Sequence, residues 1–251
     1  MFINEQTLSR PSLNILNTLY EYDDFMSSIG TLVDLGCGAG QDLEWWATRT
    51  TRDDNPTPLN IKCVGVDLLD QLHVAKKYSN ITYQKTDFED TIHPLASQLF
   101  DVLWCHDAFQ YAINPLSTLI KWRDIASDGS MLVISVPDTM LLKHKQWAFS
   151  QPTGCYYHHT MVSLIHMLAV TGWNCNTGFF QKRINDPWTQ IIVYKSEHEP
   201  MNPKTTSWHQ LSEMKLLPES AERSVYAHSY LRQQDLIVPW IDHSLTDMSQ
   251  I

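Results

Sequence analysis

Three glycines fall at every second position in Asp34-Leu35-Gly36-Cys37-Gly38-Ala39-Gly40. They sit between an apolar run, Thr31 to Leu35, and a helix-like start, Gln41 to Ala47. A strand that feeds a glycine turn and then a helix exposes backbone N–H groups and lets a ligand approach the chain closely. The spacing is not that of a dinucleotide site, which needs G-x-G-x-x-G; here Gln41 follows Gly40, so the third glycine comes one residue early. Asp34, two residues before the first glycine, suits an ammonium better than a pyrophosphate. On this stretch alone, a ligand turn and a plain strand-to-helix turn stay equally open.

Further polar residues follow other apolar runs. Asp67 ends the strand-like Ile61–Val66, where a carboxylate accepts both hydroxyls of a ribose or caps the helix expected over Leu69–Lys77. Asp87 and Phe88 end Ile81–Thr86; taken alone, they read as a solvated acidic turn. His106 and Gln110 follow Phe100–Cys105. His158 and His159 close the long segment from Asp138, which also carries Lys143-His144-Lys145-Gln146-Trp147 and two tyrosines. Segments of that length over a site usually shape a substrate pocket. A metal held by His106, His158 and His159 is a rival idea. Adjacent histidines point apart, and there is no C-x-x-C or H-E-x-x-H pattern, so no metal is expected.

Strand and helix patterns alternate through the first half of the chain. Helices are expected over Ser12–Ser28, Gln41–Arg49, Asn114–Ala126 and Thr160–Thr171, and a fifth strand over Met131–Pro137 after a turn at Asp128–Ser130. That order predicts a parallel sheet with right-handed crossovers. Ligands in such sheets bind at the carboxyl ends of the strands, and the glycine turn, Asp67, Asp87 and His106 all fall there. Trp173–Phe180 and Trp188–Lys195 read as closing strands. After Glu197, prolines and threonines mark a linker, followed by a helix over Ser220–Gln234 and an apolar patch, Ile237–Ile241.

The chain has 251 residues, 43% of them hydrophobic, enough for one α/β domain with additions. A formal net charge of −10 argues against a broad nucleic-acid surface. No apolar run approaches the ~18–20 residues of a membrane span, and the N-terminus lacks a signal-peptide pattern, so a cytoplasmic protein is expected. Five scattered cysteines make no disulfide framework; Cys37, Cys63 and Cys105 read as small apolar fillers.

Asp34–Gly40 resembles motif I (D-x-G-x-G-x-G) of the class I S-adenosylmethionine-dependent methyltransferases. Asp67 is similar to their motif II acid, and Phe100-Asp101 to the "FD" onset of motif IV. The resemblance spans about Ser12 to Ser196. It implies a doubly wound, Rossmann-like, seven-stranded, mostly parallel sheet with an antiparallel last strand, in a domain over 1–196. A partly helical extension, 197–251, would cap the site, join a subunit or pack on the sheet.

S-adenosylmethionine is the implied cofactor and S-adenosylhomocysteine its product. By resemblance, Asp34, Gly36, Cys37, Gly38 and Gly40 hold the methionine half, Asp67 and Leu68 the ribose, and Asp87 and Phe88 the adenine. Cys105, His106 and Gln110 line the side after the fourth strand, and Tyr20 and Tyr22 help to close over the cofactor. His106, His158 and His159 are the candidate bases. There is no Asn/Asp-Pro-Pro-aromatic motif, and Cys105 is not preceded by proline, so neither class of DNA-base methyltransferase fits. A small-molecule acceptor, methylated on oxygen or nitrogen, is expected by elimination. The rival is a non-catalytic cofactor-binding scaffold of the same fold.

Overall fold

A computed structural model describes residues 10–20, 23–68, 77–90, 95, 97–137, 156–157, 159–182 and 188–232. Seven strands form one sheet: β1 (Thr31–Leu35), β2 (Lys62–Asp67), β3 (Ile81–Lys85), β4 (Phe100–His106), β5 (Ala126–Pro137), β6 (Trp173–Lys182) and β7 (Trp188–Lys195). Their spatial order is β3-β2-β1-β4-β5-β7-β6. The first five run parallel, and β7 lies antiparallel between β5 and β6. The doubly wound sheet with an antiparallel last strand is thus the one the patterning and the resemblance predict.

The central strands are buried on both faces, which is why Leu32-Val33 and Val102-Leu103-Trp104 read as continuous apolar runs rather than alternations. One face is covered by α1 (Arg10–Tyr20), α2 (Asp23–Ser28) and α3 (Gln41–Ala47), through Ile15, Leu16, Trp45 and Trp46 against Leu32, Val102 and Trp104. Trp46 meets Trp45 and Trp104 edge-on, with centroids 5.1 and 5.8 Å away. Such pairs add about 0.5–1.5 kcal/mol each beyond area burial. The other face packs α4 (Pro115–Asp124) and α5 (Met161–Val170). Asn114 caps α4, and Thr160 with Ser163 forms a capping box at α5.

The second core also takes in α6 (Trp208–Glu213) and α7 (Ala221–His228), through Leu211, Leu216, Leu217, Ala221 and Val225. Arg123, 7% exposed, ties this segment down. Its guanidinium donates to the Ser196 and His198 carbonyls at 3.1 and 2.9 Å. The Cys175 N–H donates to the Leu216 carbonyl at 3.0 Å, so the segment also covers part of the β6 edge.

Several boundaries differ from the sequence expectation. The helix expected over Ser12–Ser28 is two helices, α1 and α2. Helix α4 stops at Asp124, two residues early, and β5 begins at Ala126 instead of Met131. Asp128–Ser130 is therefore an irregularity inside a strand, not a turn before it; Gly129, at φ +72°, supplies the bend. Strand β6 runs on to Lys182. All but the last residue of the helix expected over Leu69–Lys77, most of the segment 138–158, Tyr22 and Ile237–Ile241 lie outside the described residues.

Candidate active site

Strand order reverses between β1 and β4, and the chain builds its site at that point. Gly36 and Gly38 have φ of +85° and +50°, conformations that cost a side chain about 1–2 kcal/mol. The Gly36 and Cys37 N–H groups donate to the Val66 carbonyl at 2.8 and 3.1 Å, pinning the turn across the end of β2. A Cβ on Gly36 would lie 2.3 Å from the Ala108 Cβ, so the turn and the segment after β4 are pressed together. A Cβ on Gly38 would meet nothing within 4 Å. The space beside Gly38 is thus open to an approaching group.

Three carboxyls surround the turn. Asp34 is 3% exposed, and no hydrogen bond or ion pair from the described residues reaches its side chain. Burial raises its pKa well above the carboxylate range, and Asp42 and Asp67 raise it further. Asp42, in the first turn of α3, is pushed up to about 6 by burial, although it accepts from the Trp104 Nε1 at 2.9 Å and from the Ser12 hydroxyl. Asp67 accepts from the Gly38 N–H at 2.8 Å. Cys37, between them, is a buried thiol whose pKa burial raises. Neither Asp34 nor Asp42 has an ion-pair partner among the described residues, which suits an ammonium better than a pyrophosphate.

Beyond Asp67, Leu68 is 60% exposed and offers an apolar surface beside the carboxylate. Asp87 accepts from the Glu89 N–H at 2.9 Å, shaping the turn that carries Phe88. Phe88 lies beside Gly36 and packs on Trp122 at 6.1 Å. Glu89 then reaches over to the chain after β4. It accepts from the N–H groups of Ile113 and Asn114 at 2.8 and 3.0 Å and from the Thr118 hydroxyl at 2.8 Å.

His106 ends β4 and packs on Trp188 at 5.3 Å. Its Nε2 is buried without a partner, and burial lowers its pKa to about 4. Asp107 has a left-handed φ of +56°, unusual for a non-glycine residue and common at functional sites. The residue itself is exposed, but partial desolvation of its carboxyl pushes it up to about 6 against a 2.5 Å bond from the Gln110 Nε2. Gln110 is 2% exposed and its Oε1 has no partner. Its carbonyl accepts from the N–H groups of Tyr156 and Tyr157, bringing the end of the long segment to the site.

Cys105 is buried beneath His106 in the strand, its thiol raised by burial. His159 is 4% exposed and lies between the Phe109 and Tyr157 rings, at 5.2 and 5.9 Å. His158 lies outside the described residues, and Tyr20 packs on Trp45 and Arg49. Among the described residues, no group of three or more His, Cys, Asp or Glu side chains is placed to hold a metal ion. No helix among them is long and apolar enough to cross a membrane.

The structure therefore gathers the glycine turn, Asp34, Asp67, Phe88, His106 and Gln110 along one rim. Sequence reasoning missed Asp42, Glu89 and Asp107. Acids in a helix's first turn or a strand-end turn are so common that only the tertiary fold marks these three.

Residues 33–134 match the family described as "Methyltransferase domain". No curated protein matches the chain. Solved structures share the fold. The N-methyltransferase NodS from Bradyrhizobium japonicum WM9 superposes with a TM-score of 0.54 at 13% identity, over 75% of this chain and 99% of that one. A putative S-adenosylmethionine-dependent methyltransferase from Listeria monocytogenes gives 0.54 at 19% identity, over 74% and 98%. The plantazolicin methyltransferase BamL, in complex with a triazolic desmethylPZN analog and SAH, gives 0.56 at 18%, over 77% and 87%.

Proposed function

We propose that this chain, whose residues 33–134 match the methyltransferase domain family, is a class I S-adenosylmethionine-dependent methyltransferase and that it methylates an oxygen or nitrogen atom of a small-molecule acceptor. The observation that carries the acceptor assignment is the polar group after β4. His106 Nε2 and Gln110 Oε1 are buried without partners, and Asp107 is held beside them. Orphaned buried polar atoms cost about 1–3 kcal/mol each. An acceptor bearing O–H or N–H groups would satisfy them, whereas a purely apolar one would not.

Bound at the glycine turn, the cofactor supplies a methyl group already activated by its sulfonium. The chain's residues then have three tasks. Asp34, Gly36, Cys37, Gly38 and Gly40 grip the methionine half, Asp67 and Leu68 the ribose, and Asp87 and Phe88 the adenine. Cys105, His106 and Gln110 form the wall toward the acceptor, so that donor and nucleophile meet in line and water is excluded. His106 and Asp107 take or hold the nucleophile's proton. Asp107, near 6, is the better-matched base at neutral pH, while His106 is neutral there and accepts a hydrogen bond. His158 and His159 are the further candidate bases; His159 stacks on Tyr157.

Calorimetry with S-adenosylmethionine and S-adenosylhomocysteine tests the cofactor, and formation of S-adenosylhomocysteine across a panel of hydroxyl- and amine-bearing metabolites tests the acceptor. Binding without turnover on any member of the panel would favour a scaffold.

A further inference from the structure

Ser135 takes no part in the mechanism just described. It is nevertheless polar and 1% exposed, and its Oγ has no hydrogen-bond partner among the described residues. Resting on the reading that a small acceptor is methylated beside His106, we propose that Ser135 is a specificity-determining residue. Its hydroxyl binds a second polar group of the acceptor, one or two carbons along from the group that is methylated.

The sheet register places this hydroxyl. Ser135 is the partner of His106 across β4 and β5. Side chains alternate along a strand, so partners in register lie on the same sheet face, one strand spacing of about 4.8 Å apart. The Ser135 carbonyl accepts from the Asp107 N–H at 2.9 Å, which ties this point of β5 to the turn that carries Asp107. On β7, Gln190 is the partner of Ser135, and Trp188 is the partner of Pro137, two positions on. The Trp188 ring reaches back to His106, with centroids 5.3 Å apart. Ser135, Pro137 and Gln190 are buried, whereas His106 and Trp188 are half-buried, so the group opens outward at those two rings.

Two orphaned atoms thus stand on neighbouring strands, His106 Nε2 and Ser135 Oγ, and they do not bond each other. A buried hydroxyl with no partner is unfavourable, and alanine would fill the same space without that penalty. Strand order decides what the hydroxyl can meet. The order runs β1-β4-β5, and the glycine turn follows β1. With the donor at that turn, Ser135 is one strand farther from the methyl group than His106 is. The nucleophile therefore lies by His106, and what reaches Ser135 is a different polar group of the same acceptor. One strand spacing suits polar atoms on adjacent or next-but-one carbons, each of them held by its own hydrogen bond.

The test is the rate of S-adenosylhomocysteine formation by wild type and Ser135→Ala on matched acceptors with one or two polar groups. The series are propan-1-ol against propane-1,2-diol and propane-1,3-diol, phenol against catechol, and aniline against 2-aminophenol. In any series that wild type uses, kcat/KM should be roughly five- to tenfold higher for a two-group member, the effect of one hydrogen bond. In Ser135→Ala that ratio should fall to about twofold or less. A wild type with no such preference, or a ratio equal in the two proteins, overturns the proposal.

Thermal melts answer the same question without an acceptor. Because the Oγ bonds nothing in the fold, Ser135→Ala should melt at the wild-type temperature or above it. A melt lower by more than about 3 °C, or a variant that does not fold, would make the hydroxyl a structural group and overturns the proposal. Wild type that binds S-adenosylhomocysteine but turns over no member of these series or of the wider panel removes the acceptor reading itself, and the proposal with it.

Discussion

Gly36 and Gly38 share a positive φ but stand in opposite surroundings, so alanine at each should produce opposite failures. At Gly36 the new Cβ would lie 2.3 Å from the Ala108 Cβ, a distance that real side chains do not reach. The left-handed backbone costs about 1–2 kcal/mol and overpacking about 1–3 kcal/mol, so Gly36→Ala should lose roughly 2–5 kcal/mol of stability. For a chain of this size that is a fall of about 5–15 °C in Tm. At Gly38 the Cβ would meet no protein atom within 4 Å. Gly38→Ala should therefore cost only about 1–2 kcal/mol in folding, through its φ of +50°. Its methyl group would instead enter the open space beside the turn, and cofactor affinity should fall at least about tenfold.

Thermal unfolding and calorimetry with S-adenosylhomocysteine, on both variants, read the two effects separately. Gly38→Ala binding within about twofold of wild type would mean that no ligand lies against the turn. Gly36→Ala melting with wild type would mean that the turn and the segment after β4 are not in contact. Either result refutes the reasoning from missing side chains.

His106 is neutral in the fold, its pKa held near 4 by burial, against 6.5 when unfolded. Below about pH 6.5 the unfolded chain takes up a proton that the folded chain refuses, so this contribution is complete above that pH. It is lost as pH falls toward 4, by up to ~3 kcal/mol. Urea melts at several pH values should show that slope in wild type and a shallower one in His106→Gln. Arg123→Met should cost about 2–4 kcal/mol by stranding the Ser196 and His198 carbonyls, and should speed proteolysis after residue 196. Glu199→Gln, whose side chain is 84% exposed, should change stability by less than about 0.5 kcal/mol.

The local pattern alone determined a good deal of this protein. Apolar runs ending in Asp34, Asp67 and His106, separated by helix-period segments, dictate a parallel sheet, because strands buried on both faces must be apolar throughout and a parallel connection needs a crossover. The glycine spacing excluded a dinucleotide turn, since that count is a property of the chain itself. Boundaries were less legible: Asp128-Gly129-Ser130 has turn chemistry, yet β4 pairs with Ala126 before it and Met131 after it and draws it into β5.

What only the tertiary structure decided is which side chains share a space. Asp42 and Asp107 look like ordinary solvated acids in one dimension. Trp104 pulls the first against Asp34, and Gln110 holds the second at a strained strand end beside His106. Desolvation and proximity, not residue type, raise a carboxyl's pKa, and both arise from contacts between residues far apart in the chain.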